Sequence, residues 1–164
     1  MTRQSIRTKS PEVAALFNPA LVALLLVRAA RSYQNESSES LPLVYAPIIT
    51  TISLYPEARS TLSMNVSTKF ATWIDRSSYL QSLLREKIVD MVPTVNEGIL
   101  FALLYNVLRL REGGLAPGDI RLANAVRADT EDVATAQRVA TYLGRWLPRA
   151  GSPATVCAML GVAP

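Results

Sequence analysis

The sequence contains no histidine and a single cysteine, Cys157. Without histidine the chain cannot build a Ser-His-Asp or Cys-His arrangement, and most zinc sites fall away with it. One cysteine excludes an intramolecular disulfide. Cys157 stands beside Val156 and near Leu160, with no lysine next to it to stabilise a thiolate, so a buried inert thiol is expected. There is no Gly-Lys-Ser/Thr sequence, and Gly113-Gly114 and Gly118 fit neither a Walker A nor a dinucleotide pattern. No cofactor and no P-loop nucleotide binding are expected. A membrane span needs about 20 apolar residues. The apolar run 21–27 is bracketed by Asn18-Pro19 and Arg28, and 41–54 carries Pro42 and Pro47. The first residues are polar and basic (Thr2, Arg3, Arg7, Lys9) rather than an export signal, so no membrane contact and a cytoplasmic location are expected.

Charged residues are also scarce, 18% against 49% hydrophobic, in a chain of 164 residues. That balance excludes general disorder and supplies one sizeable core. The net charge of +4 permits an acidic partner but lacks the clustered Lys/Arg of a dedicated nucleic-acid binder. The nearest carboxylate pairs are Glu36/Glu39, Glu131/Asp132 and Glu86/Asp90. The last pair is four residues apart with Arg85 and Lys87 beside it, which marks a solvated helix face rather than an acid/base or metal site. The chain offers no catalytic constellation, and a non-enzymatic interaction protein is expected.

What is present is helical periodicity. Residues 1–10 read as a flexible basic arm and 11–164 as a single compact, mainly α domain. The stretch 94–110 opens with Thr94 and Glu97, a capping box, after Pro93 has ended the preceding helix. Ile99, Leu100, Phe101, Leu103, Leu104, Val107 and Leu108 follow with almost no charge between them, so this segment is expected to be the buried central helix. Asn18 and Pro19 read as cap and first-turn proline of a helix reaching Tyr33, with Arg28 and Arg31 in its last turns, where cations suit the dipole. Residues 34–40 read as a polar linker. Residues 41–55 suit a helix that is kinked at Pro47 or begins later, while the β-branched run 48–52 also permits a strand. Short helices are expected at 56–62 and 68–74, then a longer one capped by Ser77 or Ser78. After Leu108 the pattern alternates around Gly113-Gly114: a hairpin that would make the domain winged-helix-like, or an exposed loop. Helices at 129–147 and 153–160 follow, the second capped by Ser152 and ended by Gly161.

Two groups of side chains are candidates for function. Arg109, Arg111 and Arg121 surround the potential hairpin and could meet DNA phosphates, although surface arginines also keep an apolar protein soluble. Arg145, Trp146 and Arg149 form a candidate partner interface, since Trp and Arg are enriched at binding hot spots; helical spacing equally suits Trp146 to the core.

The end of the chain carries Leu143, Gly144, Arg145 and Trp146, then Leu160, Gly161, Val162 and Pro164. With 17–26 (FNPALVALLL), Tyr33-Gln34, 41–49 (LPLVYAPII) and 94–110, these resemble the middle component of bacterial three-component ABC systems, the accessory subunit of Lamassu-type anti-phage defence operons. Leu147 stands where that family has an aromatic, and Gly98 and Ala102 depart from its central helix. The resemblance covers 17–164. It implies a non-catalytic subunit that bridges a large SMC/Rad-type coiled-coil ABC ATPase and an effector, often a nuclease. From its composition, a tryptophan beside an arginine, two prolines and a helix too short to stand alone, Arg145–Pro164 is expected to mediate or buttress contact with a larger partner. The alternative from the residues alone is a winged-helix DNA-binding module using Arg109, Arg111, Arg121 and the basic arm.

Overall fold

The computed structural model describes residues 17–164. The expected arm at 1–10 and the helix start at Pro11 lie outside the described residues. Helix α1 spans Pro19–Ser37. The Asn18 side chain accepts a hydrogen bond from the Ala20 N–H at 2.8 Å, and Pro19 takes the first position, where a missing N–H does no harm. The helix runs four residues past Tyr33, so Gln34–Ser37 is its final turn rather than a linker. It ends where Ser38 turns left-handed (φ 64°) and donates its N–H to the Gln34 carbonyl. Arg28 and Arg31 therefore sit mid-helix, not in the last turns.

Strand β1 (Leu41–Pro42) is followed by helices α2 (Tyr45–Leu54), α3 (Pro56–Arg59) and α4 (Phe70–Ile74). The helix begins late, at Tyr45, and takes in the β-branched run 48–52 that also permitted a strand; the strand that does form is Leu41–Pro42, ahead of it. Pro47 falls in the first turn of α2, where N–H groups lack intrahelical partners anyway. The helix expected at 56–62 stops at Arg59. Helix α5 spans Ser78–Leu104, with the Ser77 side chain accepting from the Leu80 N–H at 3.1 Å.

Pro93 lies inside α5, and Thr94 caps nothing. A proline removes the hydrogen bond to the carbonyl four residues back, here that of Val89. Val89 and Pro93 are both on the exposed side of α5, so the carbonyl left without its partner is on the side that water reaches. That lowers the penalty enough for the helix to continue.

Strands β2 (Leu108–Arg111) and β3 (Gly114–Pro117) form the hairpin, pairing Leu110 with Leu115 and Arg111 with Gly114. Glu112 and Gly113 both have positive φ, 52° and 75°, as a two-residue turn matching strand twist requires. β1 adds a third antiparallel strand, in the order β1–β3–β2, through Leu41 opposite Leu115. The sequence reading left the hairpin open against an exposed loop and did not foresee β1 as its third strand. The order α1–β1–α2–α5–β2–β3, with α3 and α4 inserted, is winged-helix-like. Helix α6 (Glu131–Trp146), a 3-10 turn (Leu147–Arg149) and helix α7 (Pro153–Leu160) complete the domain.

The central helix is α1. Val22, Leu25, Leu26, Ala29 and Ala30 are fully buried, and α1 lies between α6 and α5. Its crossing with α6 is close because residue 144 is glycine. A Cβ there would sit 2.4 Å from the Ala29 carbonyl oxygen. Gly98 does the same for α5, where a Cβ would fall 2.3 Å from Val22 Cγ1. The 94–110 segment is thus not the buried centre. Val95, Gly98 and Ala102 face inward, Ile99, Leu103 and Val107 are half-buried, and Leu100 and Leu104 are 66% and 77% exposed.

Candidate functional site

The first candidate surface is the outer face of α5. Val89, Pro93, Leu100 and Leu104 share it at helical spacing, and Tyr105 follows in the turn; all are exposed. Beside them a largely apolar groove of about 430 Å³ is lined by Leu43, Val44, Pro47, Val92, Val95, Ile99 and Pro164, with Asn96 as its one polar side chain. From Ile88 to Leu108 the only charged residues are Asp90 and Glu97, both exposed. The face is apolar with acidic margins. Leu100 and Leu104 were assigned to the core from their hydrophobicity. Asp90, Pro93 and Glu97 on their side of the helix were the available sign that it faces outward.

The second surface is cationic. Arg28 and Arg31, one turn apart on α1, reach over the irregular segment 121–127. Arg28 Nη1 donates to the Ala123 carbonyl at 2.7 Å and its Nη2 to Ala125 at 3.0 Å. Arg28 Nε meets Gln137 Oε1 at 3.3 Å, and Gln137 Nε2 donates to the Arg127 carbonyl at 3.2 Å, so a fully buried amide ties strap to helix. Arg31 Nη1 donates to Asn124 Oδ1 at 2.9 Å and to the Leu122 carbonyl at 3.2 Å. Partial burial, and then the neighbouring Arg31 charge, push the Arg28 pKa below its usual value. Neither arginine has a carboxylate partner among the described residues. Next to the strap an open groove of about 860 Å³ is lined by Arg31, Arg109, Arg121, Gln34, Asn35 and Asn124, among others. Arg109 and Arg121 therefore converge, together with Arg31, which sequence reasoning had placed at a helix end. Arg111 does not line the groove; it is half exposed, 3.6 Å from Glu112.

The C-terminal trio separates. Trp146 is 1% exposed, so it cannot be a surface anchor. It sits in an aromatic cluster with Phe70, Trp73 and Tyr142, ring centroids 5.1 to 5.6 Å apart. Its Nε1 donates to the Thr68 carbonyl at 2.6 Å, which satisfies the one polar atom such burial would otherwise strand. Arg149 pairs with Glu36 on α1, and Arg145 is exposed. Cys157 is buried, and burial pushes its thiol pKa up.

Among the described residues no group of three or more His, Cys, Asp or Glu is placed to hold a metal, and no helix is long and apolar enough to cross a membrane. A family model described as "ABC-three component (ABC-3C) system Middle Component 3" matches residues 6–164. No curated protein and no solved structure matches the chain.

Proposed function

The chain belongs to the Middle Component 3 family of ABC-three component systems, and from that premise we propose that it is a non-catalytic accessory subunit bridging an SMC/Rad-type ABC ATPase and an effector. The complex is a cytoplasmic anti-phage defence assembly of the Lamassu type. The observation that carries this reading is the outer face of α5. Two leucines, a valine and a tyrosine exposed on and just beyond one helix, next to an apolar groove, make a patch that soluble proteins rarely leave uncovered.

Charge selects the occupant. The face carries only Asp90 and Glu97, so two copies of this chain meeting there would oppose like charges. A helix with an apolar stripe flanked by Lys and Arg satisfies both components, and the coiled coil of the ATPase is the partner segment of that kind. The helix-in-groove mode places its anchors three and four residues apart against Leu43, Val92, Leu100 and Leu104. Arg145, on the exposed side of α6, is assigned to a rim contact with the effector, where it steers association more than it adds affinity.

The test is co-purification of the three components. Leu100→Glu with Leu104→Glu should abolish capture of the ATPase while leaving the melting temperature of the isolated chain within about 2 °C, since both side chains are already in solvent. A variant that still captures the ATPase would remove this face from the contact. The winged-helix DNA-reading mode is disfavoured at the same place. In the helix in the recognition position, α5, the stretch 88–104 exposes leucines and carboxylates and carries no arginine or lysine, the residues that phosphates demand; Arg85 and Lys87 lie before it, beside Glu86 and Asp90.

A further inference from the structure

We propose that the groove between α1, β2 and the 121–124 segment binds the phosphate backbone of a nucleic acid. Three elements each contribute one guanidinium: Arg31 from α1, Arg109 from β2, Arg121 from the segment itself. No carboxylate lines the groove. Arg31 is held by neutral acceptors, the Leu122 carbonyl and Asn124 Oδ1, which orient it without cancelling its charge. Arg121 makes no hydrogen bond or ion pair among the described residues. Arg109 meets Asp119 at 3.8 Å, but both are well exposed, and such pairs are worth little. Gathering three cations with one exposed carboxylate at the margin costs electrostatic energy, and the site recovers it when an anion enters.

The lining identifies the anion. Gln34, Asn35 and Asn124 supply amide donors of the kind that join arginine on phosphate and sugar oxygens. The apolar lining is limited to Pro117, Leu122 and Ala123. An acidic protein segment would need a larger anchor than that, because protein interfaces bury an apolar centre. The groove is open and, at about 860 Å³, large enough to admit a segment of chain. Arg111 extends the line. It lies two residues from Arg109 on the same side of β2, about 6.8 Å along the strand, so a second phosphate leaving the groove meets it. This surface shares no residue with the α5 face, and its role does not depend on which partner that face takes.

Fluorescence anisotropy of the full chain with a labelled 20-nucleotide single strand and the corresponding duplex, between 50 and 200 mM salt, tests it. Wild-type protein should bind, with a log–log salt slope of about −2 to −3, the value for about three neutralised phosphates. Arg109→Gln with Arg121→Gln should weaken binding at least tenfold at 50 mM salt and reduce the slope by about 2, at roughly one per lost contact. Circular dichroism of that variant should match wild type, since both side chains are exposed. Residues 1–10 are the same in both proteins, so the difference reads the groove alone. Leu100→Glu with Leu104→Glu should leave binding within twofold, which separates this result from that of the ATPase test. Absence of wild-type binding, or an unchanged affinity and slope in the double glutamine variant, would overturn the proposal. So would capture of polyglutamate without nucleic acid, which would assign the groove to an acidic protein segment.

Discussion

Helices α1 and α5 are both rich in leucine, isoleucine and valine, yet they are treated oppositely. α1 buries most of its apolar residues between α5 and α6. α5 gives the core one face, Leu80, Leu84, Ile88 and Met91 followed by Val95, Gly98 and Ala102, and leaves Leu100 and Leu104 in water. Apolar content therefore predicts that a surface will be covered, but not by what. In α1 the cover is the chain itself; in α5 it is assigned here to another subunit. Glycine makes the distinction geometric. Gly144 lets α6 approach the backbone of α1, and Gly98 lets α5 approach Val22. Small residues thus sit at the closest approach of both crossings, while in the C-terminal half of α5 the leucines Leu100 and Leu104 stay exposed among the described residues.

The largest expected effect tests the covering of the core from the C-terminal end. Val156, Cys157 and Leu160 of α7 are fully buried, and the Met159 carbonyl accepts from Gln81 Nε2 at 2.7 Å. Deleting residues 152–164 should abolish the cooperative thermal transition. A truncated chain that melts normally would show α7 to be an ornament of the domain and free for a partner. Next comes the contrast inside the C-terminal trio. Trp146→Ala should cost about 3–5 kcal/mol, as removing a buried aromatic does. Arg145→Glu, one residue away and exposed, should change denaturant stability by about 0.5 kcal/mol or less.

The comparison of the two helices is sharpened by Leu26→Ala against Leu104→Ala. The first should cost about 2–5 kcal/mol. The second should remain within about 0.5 kcal/mol. Equal losses in urea titration would mean that the outer face of α5 is covered within the chain. The smallest effect is on pH. Burial raises the pKa of the Tyr45 phenol, next to Tyr33 and Cys157, and that of the Cys157 thiol. Groups whose folded pKa is raised favour folding below their unfolded values. That stability is lost as pH climbs past about 8.5 for the thiol and about 10 for the phenol. The melting temperature should be flat from pH 7 to 8 and fall steadily above that. Cys157→Ser would leave only the later, phenol-linked part of the decline.

The caps show what a short stretch of sequence decides. Asn18, Ser77 and Ser152 each start a helix through a side chain accepting from a backbone N–H two or three residues on, and all three were legible, the second as Ser77 or Ser78. Gly113 marked the hairpin for the same reason, since only a local φ was at stake. Pro93 was misread. The local rule that a proline ends a helix yielded once the carbonyl it orphans lay on the solvent side, and only packing sets that side. The end of α1 was misplaced because polar residues suggested a linker, whereas a helix anchored on both flanks can carry a polar last turn.

By itself the sequence determined the class of molecule. The lack of histidine and of a phosphate loop, the helical spacing and the caps follow from residue identity and from interactions closed within about four residues. The tertiary structure alone decided which apolar surface faces inward and which arginines meet. Leu26 and Leu104 are chemically identical, and the only local sign that separates them is the charge and proline sharing the helix side of Leu104. Arg31, Arg109 and Arg121 become neighbours only when β2 and the 121–124 segment close over α1. Local bonds choose the elements, but burial and charge convergence belong to contacts between segments far apart in the chain.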